Sequence, residues 1–401
     1  MTQAGSLQID LFHHAGHANE VKITSTRPDA ATRLLRGKTP EQALSTVSLL
    51  FTLCGNAQAC AALRACRSAM GKIAPPEIDA AQMLLVQLET LREQAWRILL
   101  DWPGFIGLGP NKTALAALLK FDGLFKQALF ENGEAFRLDS VLNRDLAQLE
   151  PLINELETWI NAAIFNNSLG DFLNLDSEAR LRKWLAQNPA PSAQLPRYIY
   201  SQGWHSSGQN TIACLPELAD DDVLRRMRQH DTADFARAPQ WLGCCFESTG
   251  LNRQLAHPLI AGLHKRYGNG LLTRLLGRLL EVAGIPAQLR GLRERLSEKP
   301  VLPVPRQGVN GVGLAQVQAG RGLLMHYVVL REGRVSDYRV VAPTEWNFHR
   351  HGVAAQGLKA LRSSDITDFR RQAELLINAI DPCVHYQLNL IDSGSGKETS
   401  A

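Results

Sequence analysis

Two short cysteine segments at opposite ends of the chain constrain it more than any other feature: Leu53-Cys54-Gly55-Asn56-Ala57 and Asp381-Pro382-Cys383-Val384-His385-Tyr386. Each reads as a C-x-x-C metal-binding element whose second cysteine is gone, replaced by Ala57 in the first and by Tyr386 in the second. The pattern implies a metal protein's fold put to a use other than the original reaction.

Composition narrows the class. A chain of 401 residues that is 45% hydrophobic and 20% charged has a globular balance and supports a sizeable core. The net charge of +4 is modest, and arginine is spread along the chain instead of gathered in one run. A nucleic-acid partner is therefore not expected. Seven cysteines, two of them adjacent, do not form the framework of a small secreted domain and fit a reducing cytoplasm. Met1 to Asp10 is polar where an export signal needs an apolar core. Gln42 to Leu63 lacks charge, but Ser45, Thr46, Ser48, Thr52, Asn56 and Gln58 suit hydrocarbon badly. A buried helix pair is expected there, and no membrane insertion.

The periodicity predicts one domain over 1–392. An N-terminal hairpin (6–27) should bury Leu7, Ile9 and Leu11 on one face. A helical part (29–187) follows, with a helix Glu41–Leu53 started by Thr39-Pro40 and a second, Asn56–Met70. The middle (188–298) holds a polar aromatic loop, Tyr198–Gln209, and a helix pair from Asn252 to Leu296 broken near Gly284-Ile285-Pro286, with Gly268-Asn269-Gly270 as a further break or helix end. Pro300–Gly313 reads as a surface connection. The segment 311–392 carries alternating strands turned at Arg331-Glu332-Gly333-Arg334, a helix Asp365–Ile380 and the second cysteine segment. The tail 393–401 should be mobile.

The remaining cysteines and histidines are less telling. Cys60 and Cys66 read as small packed residues, Cys244-Cys245 as core, and His257 and His264 as interfacial or capped. Phosphate-loop, dinucleotide, zinc-helix and nucleophile-elbow motifs are missing.

Arg321-Gly322-Leu323-Leu324-Met325-His326, then Tyr338 to Asn347 with Pro343-Thr344 and Trp346-Asn347, then Asp381-Pro382-Cys383, fall in the order R-G-x-x-x-H, Y-x-x-x-x-P-T-x-W-N, D-P-C. This stretch resembles the large subunit of NiFe-hydrogenases. Leu34 to Gly55 resembles the segment leading to that family's C-G-x-C-x-x-x-H. The resemblance implies an α+β, mainly α fold, a helical core with small antiparallel sheets near both termini.

It also shows what is lost. In the family the second cysteine of each pair bridges nickel to iron; here those positions are Ala57 and Tyr386, and Ala61 and Asn389 replace the following histidines. The acidic proton relay would fall near Thr32. Without bridging thiolates neither nickel nor hydrogen turnover is expected. The kept and lost residues resemble the HupK/HoxV family of hydrogenase accessory proteins. That resemblance implies a non-catalytic cytoplasmic factor that carries an Fe(CN)2CO group, with HypC/HypD-type iron-delivery proteins and the hydrogenase large-subunit precursor as partners. Cys54 and Cys383 are the expected iron ligands, with Cys60 and His385 in reserve. His385 has a second reading, as a cap on the preceding helix. Arg321 is expected to donate hydrogen bonds to a cyanide, worth roughly 1.5–3 kcal/mol, with Thr344 as a further polar contact. A metal-free chaperone mimicking the large subunit, and a redox subunit related to the quinone-reactive subunit of complex I, are the alternatives.

Overall fold

A computed structural model describes residues 5–26, 30–51, 54–296 and 311–393. Most of the tail expected to be mobile and most of Pro300–Gly313 lie outside the described residues.

The opening alternation yields β1 (Ser6–His14) and β2 (His17–Ser25), an antiparallel pair with Leu7, Ile9 and Leu11 buried. A second sheet is an antiparallel meander of β3 (Val312–Ala319), β4 (Gly322–Arg331) and β5 (Arg334–Val341). Its β4–β5 turn has Glu332 and Gly333 both at positive φ, the conformation that matches the twist of a two-residue hairpin. The last strand, β6 (His385–Asp392), lies beside β1 in parallel, giving the order β2-β1-β6. The first sheet is thus mixed, and both ends of the chain meet in it. Parallel pairing needs a long crossover, and here nearly the whole protein supplies it.

Helices fill the space between. α1 (Pro40–Leu50) begins at Thr39, whose hydroxyl accepts from Gln42 N–H while the Gln42 side chain accepts from Thr39 N–H. α2 (Gly55–Ala69) is rich in alanine, so its backbone lies close to β3: a Cβ on Gly313 would fall 1.9 Å from the Ala65 carbonyl oxygen. The uncharged stretch is therefore the expected helix pair. α3 (Pro76–Trp96) and α4 (Lys112–Leu129) follow. Further helices include α5 (Leu149–Ala163), α6 (Pro258–Tyr267), α7 (Leu271–Arg295) and α8 (Ile366–Ile380). Residues of α3 and α7 are buried on most sides and form the centre of the largest apolar cluster.

Two expectations about the middle are corrected. α7 runs through Gly284-Ile285-Pro286 without the expected interruption, while Gly268-Asn269-Gly270 is the helix break it was expected to be. Ile285 and Pro286 are buried, so packing outweighs the lost hydrogen bond of an internal proline. Pro191–Ser201 forms a helix where part of a polar loop was expected, because Leu195 and Ile199 give it a buried face. Among the described residues no helix is long and apolar enough to cross a membrane.

Candidate functional site

Cys54 is the residue at which the chain turns into α2, with a non-helical backbone and no side-chain cap of its own. The orphan amides of that helix start are taken by Glu89 of α3, which accepts from Asn56 N–H at 2.7 Å and from Ala57 N–H at 3.0 Å. A carboxylate here complements the positive end of the helix. Burial pushes the Glu89 carboxyl up to about 7, against the pull of these two amides and of Arg92.

Cys383 reaches the same place from the other end of the chain. α8 ends at Asp381, a left-handed residue at φ 68°, and Pro382 prevents the helix from continuing. Thr344, in the short helix Pro343–Asn347, fixes the cysteine twice: its hydroxyl accepts from Cys383 N–H at 3.0 Å and donates to Cys383 Sγ at 2.8 Å.

Arg321 occupies the tight turn between β3 and β4. Its Nε donates to Asp381 Oδ1 at 3.1 Å and its Nη2 pairs with Glu93 at 2.5 Å. Asp381 also receives Arg97 at 2.7 Å and Arg278 at 3.4 Å. Burial opposes the Asp381 charge, but the three guanidiniums hold the carboxyl far below the usual range. Burial likewise opposes the Arg321 charge, and Asp381 with Glu93 more than offsets it.

Cys54, Cys383, Arg321, Gln58, Glu89 and Glu93 line one cavity of about 10 Å³, room for roughly one water. Burial, then the neighbouring Cys383 and Glu89, push the Cys54 thiol up to about 12, with Arg321 pulling the other way. The unligated pocket therefore holds Cys54 as a thiol, and only a soft cation that displaces its proton would make it a thiolate. A separate polar groove of about 990 Å³ lies over Glu217, Asp220 and Asp221, and neither cysteine lines it.

Four of the expected site residues are thus brought together: Cys54, Cys383 and Arg321 line the cavity, and Thr344 holds Cys383. The other two are not. Cys60 is packed among Ala57, Ala61, Val86 and Val317, its thiol raised by burial to about 11. His385 is exposed at the start of β6, beside Ser6, and the residue that ends α8 is Asp381. Among the described residues no three His, Cys, Asp or Glu side chains are grouped to hold a metal ion.

Cys244-Cys245 is not core. Leu242 and Gly243, both at positive φ, make a tight turn closed by Trp241 and Cys244; Cys244 is exposed, and half-buried Cys245 lies 3.1 Å from His349 Nδ1. Glu89, Glu93 and Gln58 were missed as parts of the site. For the two glutamates the available signal was their spacing, four residues apart and so on one face of α3.

Residues 289–386 match the family model of nickel-dependent hydrogenases. The chain is 30% identical over 384 residues to the hydrogenase expression/formation protein HoxV of Cupriavidus necator, covering 92% of this chain and 93% of that one. It is 29% identical over 397 residues to the hydrogenase expression/formation protein HupK of Azotobacter vinelandii, covering 97% and 99%. Among solved structures, the Ni-Fe-Se hydrogenase of D. vulgaris Hildenborough superposes with a TM-score of 0.64 at 15% identity, over 92% of this chain and 94% of that chain, a likeness of fold. The half-kept cysteine pairs, the shared cavity and the full-length likeness to these relatives agree: the chain belongs to the HupK/HoxV family of hydrogenase expression/formation proteins, on a hydrogenase large-subunit-like fold.

Proposed function

We propose that this hydrogenase accessory protein carries an Fe(CN)2CO group on Cys54 and Cys383, without nickel and without turnover. In this reading HypC/HypD-type proteins deliver the group in the cytoplasm, and the hydrogenase large-subunit precursor receives it. The observation that carries the reading is that cysteines from opposite ends of the chain face one cavity whose wall includes Arg321.

Two thiolates are soft ligands suited to such an iron. As each S–Fe bond forms, a ligand of the delivering protein leaves the iron and takes up the sulfur's proton; on hand-over the S–Fe bonds break, each sulfur takes a proton from the incoming thiol ligand, and the cargo leaves with its diatomic ligands unchanged. Two ligands in place of four also make a site easier to empty, which a carrier needs. Arg321 supplies fixed positive charge beside the cavity, with Asp381 and Glu93 holding its orientation. Infrared spectroscopy of protein purified without oxygen from its host tests this. Cyanide and carbonyl bands should be present in wild type and absent from Cys54→Ala and Cys383→Ala.

A second reading, a metal-free chaperone that mimics the large subunit, draws on the small size of the cavity and on the engagement of Arg321 with two carboxylates. It predicts no bands in folded wild-type protein, with binding to the precursor unchanged in both cysteine variants.

A further inference from the structure

Behind Cys54 lies a chain of buried polar groups that the cysteine motifs do not explain. Gln58 Nε2 donates to Cys54 Sγ at 3.6 Å. Gln58 Oε1 lies 2.9 Å from His326 Nε2, and His326 Nδ1 lies 2.7 Å from the Tyr338 hydroxyl. Gln58, His326 and Tyr338 are each at most 1% exposed. The directions are fixed by elimination. An amide oxygen only accepts, so His326 Nε2 carries the hydrogen; a neutral imidazole then accepts at Nδ1, and Tyr338 donates to it. Burial keeps His326 neutral by lowering it to about 3. Every donor in the row therefore points toward Cys54.

We infer that Gln58, held by His326 and Tyr338, is a positioning residue that aims an N–H at Cys54 Sγ and orients that sulfur toward a soft metal bound in the cavity. It is the counterpart of Thr344, whose hydroxyl donates to Cys383 Sγ. Each sulfur thus has one dedicated donor, and removing such an outer donor weakens the ligand's hold on metal. The inference rests on the carrier reading for its purpose, while its geometry stands apart from any iron.

Cadmium(II) is the probe, read by the thiolate-to-cadmium ultraviolet band of the anaerobic full-length protein, counting only binding lost in Cys54→Ala. Gln58→Leu should weaken this binding about tenfold and His326→Leu by a comparable factor. His326→Gln should restore near-wild-type affinity, because its amide nitrogen can donate to Gln58 as the imidazole does. Should His326→Leu not fold, Gln58→Leu and His326→Gln still decide. Equal affinity in wild type and Gln58→Leu would overturn the inference, as would a His326→Gln variant that binds as weakly as Gln58→Leu, or no Cys54-dependent band at all. Missing iron bands in wild type would overturn the carrier reading and leave the cadmium comparison intact.

Discussion

Arg321 Nε donates to Asp381 Oδ1 at 3.1 Å, tying the turn between β3 and β4 to the residue two positions before Cys383. The arginine and the aspartate of two separate sequence motifs are therefore one buried charge unit. Arg97 and Arg278 complete it.

Asp381→Asn isolates the charge from the backbone. Asparagine tolerates the left-handed conformation at this position, so the fold of the turn survives. Three inward guanidiniums lose a common carboxylate, and removing one partner of a buried ion pair costs about 3–5 kcal/mol. A marked fall in the thermal unfolding midpoint is expected. A midpoint equal to wild type would show that Glu93 on Arg321 and Asp101, which pairs with Arg97 at 2.5 Å, balance the arginines unaided.

Thr344→Val tests the clasp on Cys383. The substitution keeps the shape, removes the hydroxyl donor to Sγ and leaves the buried Cys383 N–H without its acceptor. A loss of about 1–3 kcal/mol follows, with Thr344→Ser close to wild type. Urea unfolding midpoints of the two variants check the difference; equal losses would assign the effect to packing.

Glu89 and His326 give opposite pH dependences. Glu89 is raised from 4.5 to about 7, so the folded state binds its proton more tightly. The stability this contributes is complete below pH 4.5 and is lost as pH rises through about 7. His326 is lowered from 6.5 to about 3, so the unfolded state binds the proton more tightly. Its contribution is complete above pH 6.5 and is lost as pH falls toward 3. Relative to wild type, Glu89→Gln should gain ground between pH 4.5 and 7, and His326→Gln between pH 6.5 and 3. Denaturant midpoints across pH 4–8 measure both slopes. A wild-type-minus-variant difference flat in pH for either residue would rule out its titration.

The half-kept C-x-x-C segments made Cys54 and Cys383 legible, while Arg321 and Thr344 were legible only through the resemblance to the hydrogenase large subunit, whose R-G-x-x-x-H and P-T-x-W-N positions they match. The hairpin of β1 and β2 and the turn at Glu332-Gly333 were legible from alternation and turn chemistry. What the sequence hid is what depends on distance along the chain. β6 joins β1 across almost the whole protein, and Glu89 caps a helix to which it does not belong. Pro286 misled because local propensity disfavours a proline inside a helix, while burial of its neighbours on α7 decides the outcome. Cys244-Cys245 misled because flanking aromatic residues suggested a core where two positive-φ residues place a turn.

The two glycines flanking Arg321 should respond differently to alanine. Gly322 has φ 131°, and a Cβ there would fall 1.8 Å from the Ser248 carbonyl oxygen, in backbone that also supports β4 through Ser248 Oγ accepting from Leu323 N–H at 2.9 Å. Relief requires moving either the Ser248 loop or the start of β4, and with it the anchor of Arg321 on Asp381. Gly322→Ala should therefore cost about 3 kcal/mol or more. Gly320 needs no left-handed backbone, and its added Cβ would meet Thr90 Cα at 3.3 Å, a contact that shifts of a few tenths of an ångström relieve. Gly320→Ala should lose less than half as much. Urea midpoints of the two variants make the comparison, and equal losses would mean that the turn as a whole, and not the approach to Ser248, sets the position of Arg321.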